Sequence, residues 1–438
     1  MTLLARGRWR SSNIIWSLAV GIAVLSLSLV AGCGAPTEEI DQVTVMGVWT
    51  GSELEGFRSV VAGWEVETGG RVEFEATRGL TVVLRARVNA GNPPDIAILP
   101  NPALVQDFAS AGKLKRLDQV LDMSQIRKDY ADTWIEQGSV EGVFYSLFIR
   151  AASKSTVWYS PAEFNNNDWE VPQTWDELRS LTDRMVTEGK TPWSIALESG
   201  AASGWPATDW IQEIFIQEHG PDLYDLWVAH KIPWTHQAVK SSFEKFGSIA
   251  LNSEYVNGGM PGIFRTNPAK GSHVLYEAPP KAHMYFLGSF TQGFIGDQFP
   301  GLQAGQDYDF FPFPSINPRF AAAITVGGDL VVMFRDTAAS RSLLQYLARG
   351  EVWAPWARRG GYLSPNRSLS LDSYPNATAA KVAQQLSTAP IIRFDADDLM
   401  PSGLQRAFWL GVLSYLQDPL TLDSVLQKIE AVAVESYR

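Results

Sequence analysis

The sequence predicts an α/β chain of two lobes, joined by several crossover segments, with a ligand cleft between the lobes. Three observations carry this. At 438 residues the chain is longer than one hydrophobic core organises, and at about 150 residues per domain it points to two or three. Residues 43–100 alternate strand and helix signals, the mark of a parallel sheet with right-handed crossovers. The same style returns at 322–349 after a middle region of different character, so the chain leaves its first lobe and comes back, and several crossing segments guide closure about a hinge.

In chain order, the first element lies outside the fold. Arg6, Arg8 and Arg10 precede an apolar run from Ile14 to Val30, which ends in the small residues Ala31 and Gly32 before Cys33. This resembles a bacterial lipoprotein signal over residues 1–32, with Cys33 as the lipidation site. The other reading is an uncleaved membrane anchor, and both hold the chain outside the cytoplasm. Cys33 is the only cysteine, which leaves the folded part without a disulfide framework or a thiol nucleophile. Residues 33–42 read as a flexible tether of small and polar residues, about 30 Å at full extension.

The strands "VTVMGVW" (43–49), "VEFEA" (72–76) and "DIAILP" (95–100) then enclose two amphipathic segments, 54–69 and 80–91. Phe57, Val60, Val61 and Trp64 share one face of the first. Parallel sheets place ligands at the carboxyl ends of their strands, so "TGSELEG" after Trp49 stands at a site mouth. In the middle region, 174–189 opens with a capping box, Thr174 and Glu177, and carries a stripe of Leu178, Leu181 and Met185. A second helix is read at 238–253, and glycine-rich aromatic loops run on to "DYDFFPFPSI" (307–316). Strand, turn, strand and helix follow at 322–349, and the C-terminus is helical. The lobes are expected as 43–148 plus 322–368, and 149–321 plus 369–438.

Composition excludes several functions. A net charge of −11 with no basic patch argues against nucleic acid. His219, His230, His236, His273 and His283 lack metal-ligand spacing. There is no G-x-S-x-G elbow, and the glycine pair before Asp329 lacks a phosphate-loop lysine. Neither metal nor cofactor is expected. The 16 tryptophans exceed what core packing usually demands.

Four stretches carry a resemblance: "NAGNPPDIAIL" (89–99), "VFYSLFIRAASKSTVWYSPAEFNNNDWEVPQTWDEL" (143–178), "TPWSIALESGAASGWPATDWIQEIFI" (191–216) and "AITVGGDLVVMFRD…GGYLSP" (323–365). Their order and spacing resemble family 1 extracellular solute-binding proteins, the sugar-binding subunits of ABC importers, and in particular the alpha-glucoside branch. The likeness covers nearly all of residues 43–438. One departure is "LFIRAAS", which stands at Phe148 where the family's hinge more usually opens with leucine and proline. The resemblance implies a periplasmic-binding-protein-like fold of type II and a monomer without catalysis. It also implies closure over a carbohydrate and delivery to permease subunits in the membrane.

Sugars present C–H faces to flat aromatics and rim hydroxyls to planar polar groups. "ESGAASGWPATDW" offers Glu198, Trp205 and Asp209 for both tasks, with Trp210 at helix-core spacing. Trp205 stacks on a ligand or serves as a packed cap. Trp49 and Glu53 follow the first strand, where Glu53 is a hydroxyl acceptor or only a first-turn helix charge. Asp95 is a ligand or the fixer of a turn. Gly327, Gly328 and Asp329 break a strand where a ligand approaches backbone. In "WAPWARRGGY", Trp353, Trp356, Arg358 and Tyr362 form a saccharide wall around Gly360 and Gly361, with part of the segment in the core. Phe290 completes the candidates. The rival readings are a glycosidase pairing Glu198 with Glu53 or Asp329, a receptor for a non-sugar solute, and a structural surface protein.

Overall fold

The computed structural model describes residues 42–438, so the expected signal, the lipidation site at Cys33 and most of the tether lie outside the described residues. Strand β1 (Gln42–Gly47) already includes the last tether position, and leads into helix α1 (Gly51–Thr68). Phe57, Val60, Val61 and Trp64 form the buried stripe of α1, and Gly69, in the left-handed region at φ 76°, ends it by donating its N–H to Glu65 O. β2 (Arg71–Ala76), α2 (Leu80–Asn89) and β3 (Ile96–Leu99) follow. β1 pairs in parallel with β2 on one side and β3 on the other. All four residues of β3 are buried, as expected of a strand covered on both faces.

The chain next runs through β4 (Ser146–Ser153) and, two residues later, β5 (Thr156–Tyr159), passing from one sheet to the other with no intervening loop. Helix α3 (Trp175–Thr187) has both arms of the Thr174–Glu177 capping box. β6 (Trp193–Ser194), α4 (Trp205–His219), β7 (Met284–Phe286), α5 (Thr291–Gln298) and β8 (Asp309–Pro312) follow. The second sheet has the order β8-β5-β7-β6. β9 (Ala323–Met333) then returns to the first sheet, followed by α6 (Ala377–Thr388), β10 (Ile391–Phe394), α7 (Ser402–Gln417) and α8 (Leu422–Ser436). The architecture is the two-lobed type II fold. Among the described residues, no helix is long and apolar enough to cross a membrane.

β9 is the spine of the crossover. Its second half, Leu330–Met333, pairs antiparallel with β3, and its first half, Ala323–Val326, overruns β3 and pairs in parallel with β10. Along its other edge lies β4. Residues 369–438 are expected in the second lobe; β10 instead joins the first sheet, because its pairing partner lies far upstream and local periodicity carries no trace of it. Two further expectations change here. Gly327 and Gly328 do not break a strand, since β9 runs through them with a register shift between Asp329 and Leu330. A Cβ on Gly328 would lie 2.7 Å from Arg150 O and 2.9 Å from Phe148 Cδ1, so neighbouring β4 by itself demands glycine there. Phe148 is buried, 4.8 Å from Trp134 and 5.4 Å from Phe394 between ring centroids.

The tryptophan surplus is mostly core. Trp49, Trp64 and Trp353 are among the largest fully buried side chains of the first lobe; Trp193, Trp210, Trp227 and Trp234 fill the second.

Candidate ligand-binding site

A cavity of ≈ 420 Å³ lies beyond the carboxyl ends of β1 and β3, and the start of α4 and the Phe290–Asp297 segment line its other side. That size falls within the range of small-molecule sites, about 300–1,000 Å³.

Two buried cations organise its floor. Arg150, on β4, directs Nη1 to Glu53 Oε1 at 2.6 Å and to Asp329 Oδ2 at 3.4 Å, and donates from Nη2 to Gly361 O at 3.1 Å. Trp49 Nε1 donates to the same Asp329 oxygen at 3.3 Å. Phe290 and Trp356 lie 5.8 and 5.2 Å from the guanidinium carbon. Burial raises the Asp329 carboxyl to about 6; Arg150 opposes that shift and the charge of Glu53 adds to it.

Lys154 forms the second knot, one residue beyond β4. Its Nζ lies 3.1 Å from both oxygens of Asp209 and 2.6 Å from Asp395 Oδ2. Burial works against its charge, but Asp209, Asp395 and Asp398 outweigh that and raise its pKa well above the ordinary lysine value. Asp209, Asp397 and Asp398 are all pushed well up, first by burial; repulsion from neighbouring carboxylates adds to this. Asp209, Asp395 and Asp397 each bring one oxygen within 4.8 Å of the others, a spacing open to a cation, and the Lys154 ammonium contacts two of them. Gln212 ties the group together: its Nε2 donates to Asp209, Asp395 and Asp397, and its Oε1 accepts from the Ala396 N–H at 2.7 Å.

The aromatic wall follows from the start of α4. Gly204 adopts φ 108°, and a Cβ there would lie 2.7 Å from Trp409 O, so only glycine lets the chain turn sharply into the helix. Trp205 and Asp209, four residues apart, then share one face. Trp205 is half-buried, with Phe290 at 6.1 Å between ring centroids and Lys154 Nζ 4.9 Å from its own centroid. Trp409 Nε1 donates to Asp397 Oδ2 at 2.5 Å.

Of the residues singled out in the sequence, Trp49, Glu53, Trp205, Asp209, Phe290, Gly327, Gly328 and Asp329 line the cavity. The Trp49 ring is enclosed by Phe57, Phe74 and Trp356, so it holds Asp329 rather than offering a stacking face. The other residues are placed elsewhere. Asp95 sits at the amino end of β3, accepting from Thr44 N and Oγ1, both at 2.8 Å. Glu198 accepts from Gly200 N at 3.0 Å within its own loop. Trp353 and Tyr362 stack on each other 5.3 Å apart in the first-lobe core, bonded to Leu347 O and Ile149 O. Trp356 forms a second layer behind Trp49 and Arg150, and Arg358 is exposed outside the cavity.

Arg150, Lys154, Asp395, Asp397, Asp398 and Trp409 also line the cavity and are not among the residues the sequence singles out. A signal existed for the first two: "SLFIRAASKS" sets an arginine and a lysine inside a run that must be buried, where charge persists only with partners.

Residues 50–348 match the family described as bacterial extracellular solute-binding protein. The osmoprotective compounds-binding protein GgtB of Synechocystis sp. is 35% identical over 398 residues, covering 90% of this chain and 94% of its own. The alpha-glucosides-binding periplasmic protein AglE of Rhizobium meliloti is 31% identical, with 85% and 83% covered. Among solved structures, the bacterial solute receptor AcbH superposes with a TM-score of 0.79 at 20% identity, over 91% of this chain and all of its own. Maltose-bound MalE3 of T. maritima reaches 0.73 at 14% identity, with 90% and 99% covered.

The raised Asp329 carboxyl gives a test by pH. The native state binds its proton more tightly than the unfolded chain, so the contribution is full below about pH 4 and is lost as pH rises through about 6. The unfolding free energy of the wild type relative to Asp329→Asn should therefore fall by up to about 3 kcal/mol between pH 4 and 7 in urea titrations. A difference that stays flat would mean that Asp329 titrates as an ordinary carboxylate.

Proposed function

The chain belongs to the bacterial extracellular solute-binding protein family of ABC importers, and from that premise we propose that it is a carbohydrate receptor. In this reading an alpha-glucoside or oligosaccharide enters the cleft, the lobes bend closed over it, and the closed monomer delivers it to permease subunits in the membrane.

One observation carries the proposal: a single cavity joins the rings of Trp205 and Phe290 to the fixed carboxylates Glu53 and Asp329. Aromatic faces suit the C–H patches of a sugar ring, and anchored carboxylates accept the hydroxyl protons at its rim. The name of AglE, an alpha-glucosides-binding protein, points the same way. Glu53 and Asp329 are read as acceptors rather than as the acid and base of a glycosidase. Both are drawn to the same Arg150 nitrogen instead of flanking a free gap. The protein is accordingly expected to release no glucose from a nitrophenyl alpha-glucoside.

Replacing Trp205 by Ala removes the stacking wall. Affinity for whichever of maltose, trehalose and sucrose binds should weaken by about 1.5–3 kcal/mol, roughly ten- to more than a hundredfold in Kd by calorimetry. Trp210, 1% exposed and packed against Trp193, Phe246, Phe286 and Phe313, supplies the contrast. Trp210→Ala should cost about 3–5 kcal/mol of stability. If Trp205→Ala keeps its affinity and loses as much stability as Trp210→Ala, Trp205 is scaffold.

We also propose that Cys33 is lipidated and anchors the receptor outside the cytoplasm. Cys33→Ser expressed in a bacterial host should accumulate as unprocessed precursor or leave the membrane fraction. Unchanged size together with unchanged membrane retention would refute the anchor.

A further inference from the structure

We infer that the cleft selects its ligand by charge: it takes an uncharged glycoside and turns away the same framework carrying a carboxylate or phosphate. This rests on the carbohydrate reading above and adds a ligand class to it.

A site that receives an anion offers an unengaged arginine, lysine or helix N-terminus. Here both buried cations are committed to the protein's own acceptors. Arg150 serves Glu53, Asp329 and the carbonyl of Gly361, and Lys154 serves Asp209 and Asp395. Asp397 and Asp398 stand in the same wall, bonded to the neutral donors Trp409 Nε1 and Gln405 Nε2. Among the described residues of this floor both buried cations are already bonded to acceptors, and an incoming carboxylate would approach Glu53, Asp329 and Asp395 there and Asp297 at the rim.

Two features at the rim favour an anion, and one of them is countered. The N-terminus of α1 opens on the cavity at Thr50 and Gly51, and Thr50 makes no side-chain cap. Glu53 already sits in its first turn, and an Asp297 oxygen lies 4.0 Å from where a Cβ on Gly51 would stand, so negative charge faces that terminus from both lobes. Arg78 is the other feature; it is exposed to solvent at the rim, where salt screens it. Asp297 is therefore the accessible determinant, exposed on α5 and outside both buried knots.

The test compares matched probes by calorimetry at neutral pH: methyl alpha-glucoside against its glucuronide, and trehalose against trehalose 6-phosphate. The neutral member of a pair should bind at least tenfold more tightly than the anionic one. Raising salt from about 0.02 to about 0.5 M should narrow that gap while leaving the neutral probe's Kd nearly unchanged. Asp297→Lys should narrow the gap several-fold. Equal or tighter binding of the anionic members overturns the inference and leaves the carbohydrate reading standing. A gap that neither salt nor Asp297→Lys changes is steric exclusion, which also overturns it. If no probe of either kind binds, the carbohydrate reading falls and this inference falls with it.

Discussion

Lys154 Nζ sits between Asp209 and Asp395 at the point where the chain leaves the first sheet for the second, and much of the cleft is arranged around that ammonium. Three separate segments meet on it: the crossover after β4, the first turns of α4, and the turn after β10. Each carries charge that is costly to bury alone, and removing one partner of a buried ion pair generally costs about 3–5 kcal/mol. The three segments are thereby fixed in one arrangement. Gln212 and Glu213 extend the tie. Gln212 bridges the acids, and Glu213 accepts from Ser155 Oγ at 2.6 Å and Thr325 Oγ1 at 2.7 Å, binding α4 to both crossing strands.

Arg150 repeats this arrangement four residues earlier in sequence. An even spacing along extended backbone puts both side chains on the same face, so β4 and the residue that follows it direct two cations into the cavity floor. One holds Glu53 and Asp329, the other holds Asp209 and Asp395. The protein itself thus holds these carboxylates in place, and groups fixed before a ligand arrives reduce the ordering that binding must bring about. Trp205 and Phe290 line the same cavity, and Gly204 makes the turn that brings Trp205 to its edge.

How far this was legible in the sequence follows from the range of each signal. β1, α1, β2, α2 and β3 announce themselves by local periodicity, and the Thr174–Glu177 cap by a four-residue motif. Trp205 and Asp209 are one helical turn apart, so their convergence is also local. β10 pairs with a strand far upstream, and that pairing leads the acids that follow it to the site. Trp353 and Tyr362 show the opposite limit: aromatics beside a glycine turn look the same in sequence whether they form a sugar wall or, as here, stack in a core. The tryptophan count misled for the same reason, since composition does not separate a binding face from a buried one.

In the proposed reading a sugar is taken up between lobes that bend at the β4–β5 and β8–β9 crossings. Small-angle scattering with and without saturating amounts of the tightest-binding alpha-glucoside tests it most directly. The radius of gyration should decrease when the sugar is bound, as hinge closure requires. Saturable binding with an unchanged radius would contradict it and make the cleft a rigid groove.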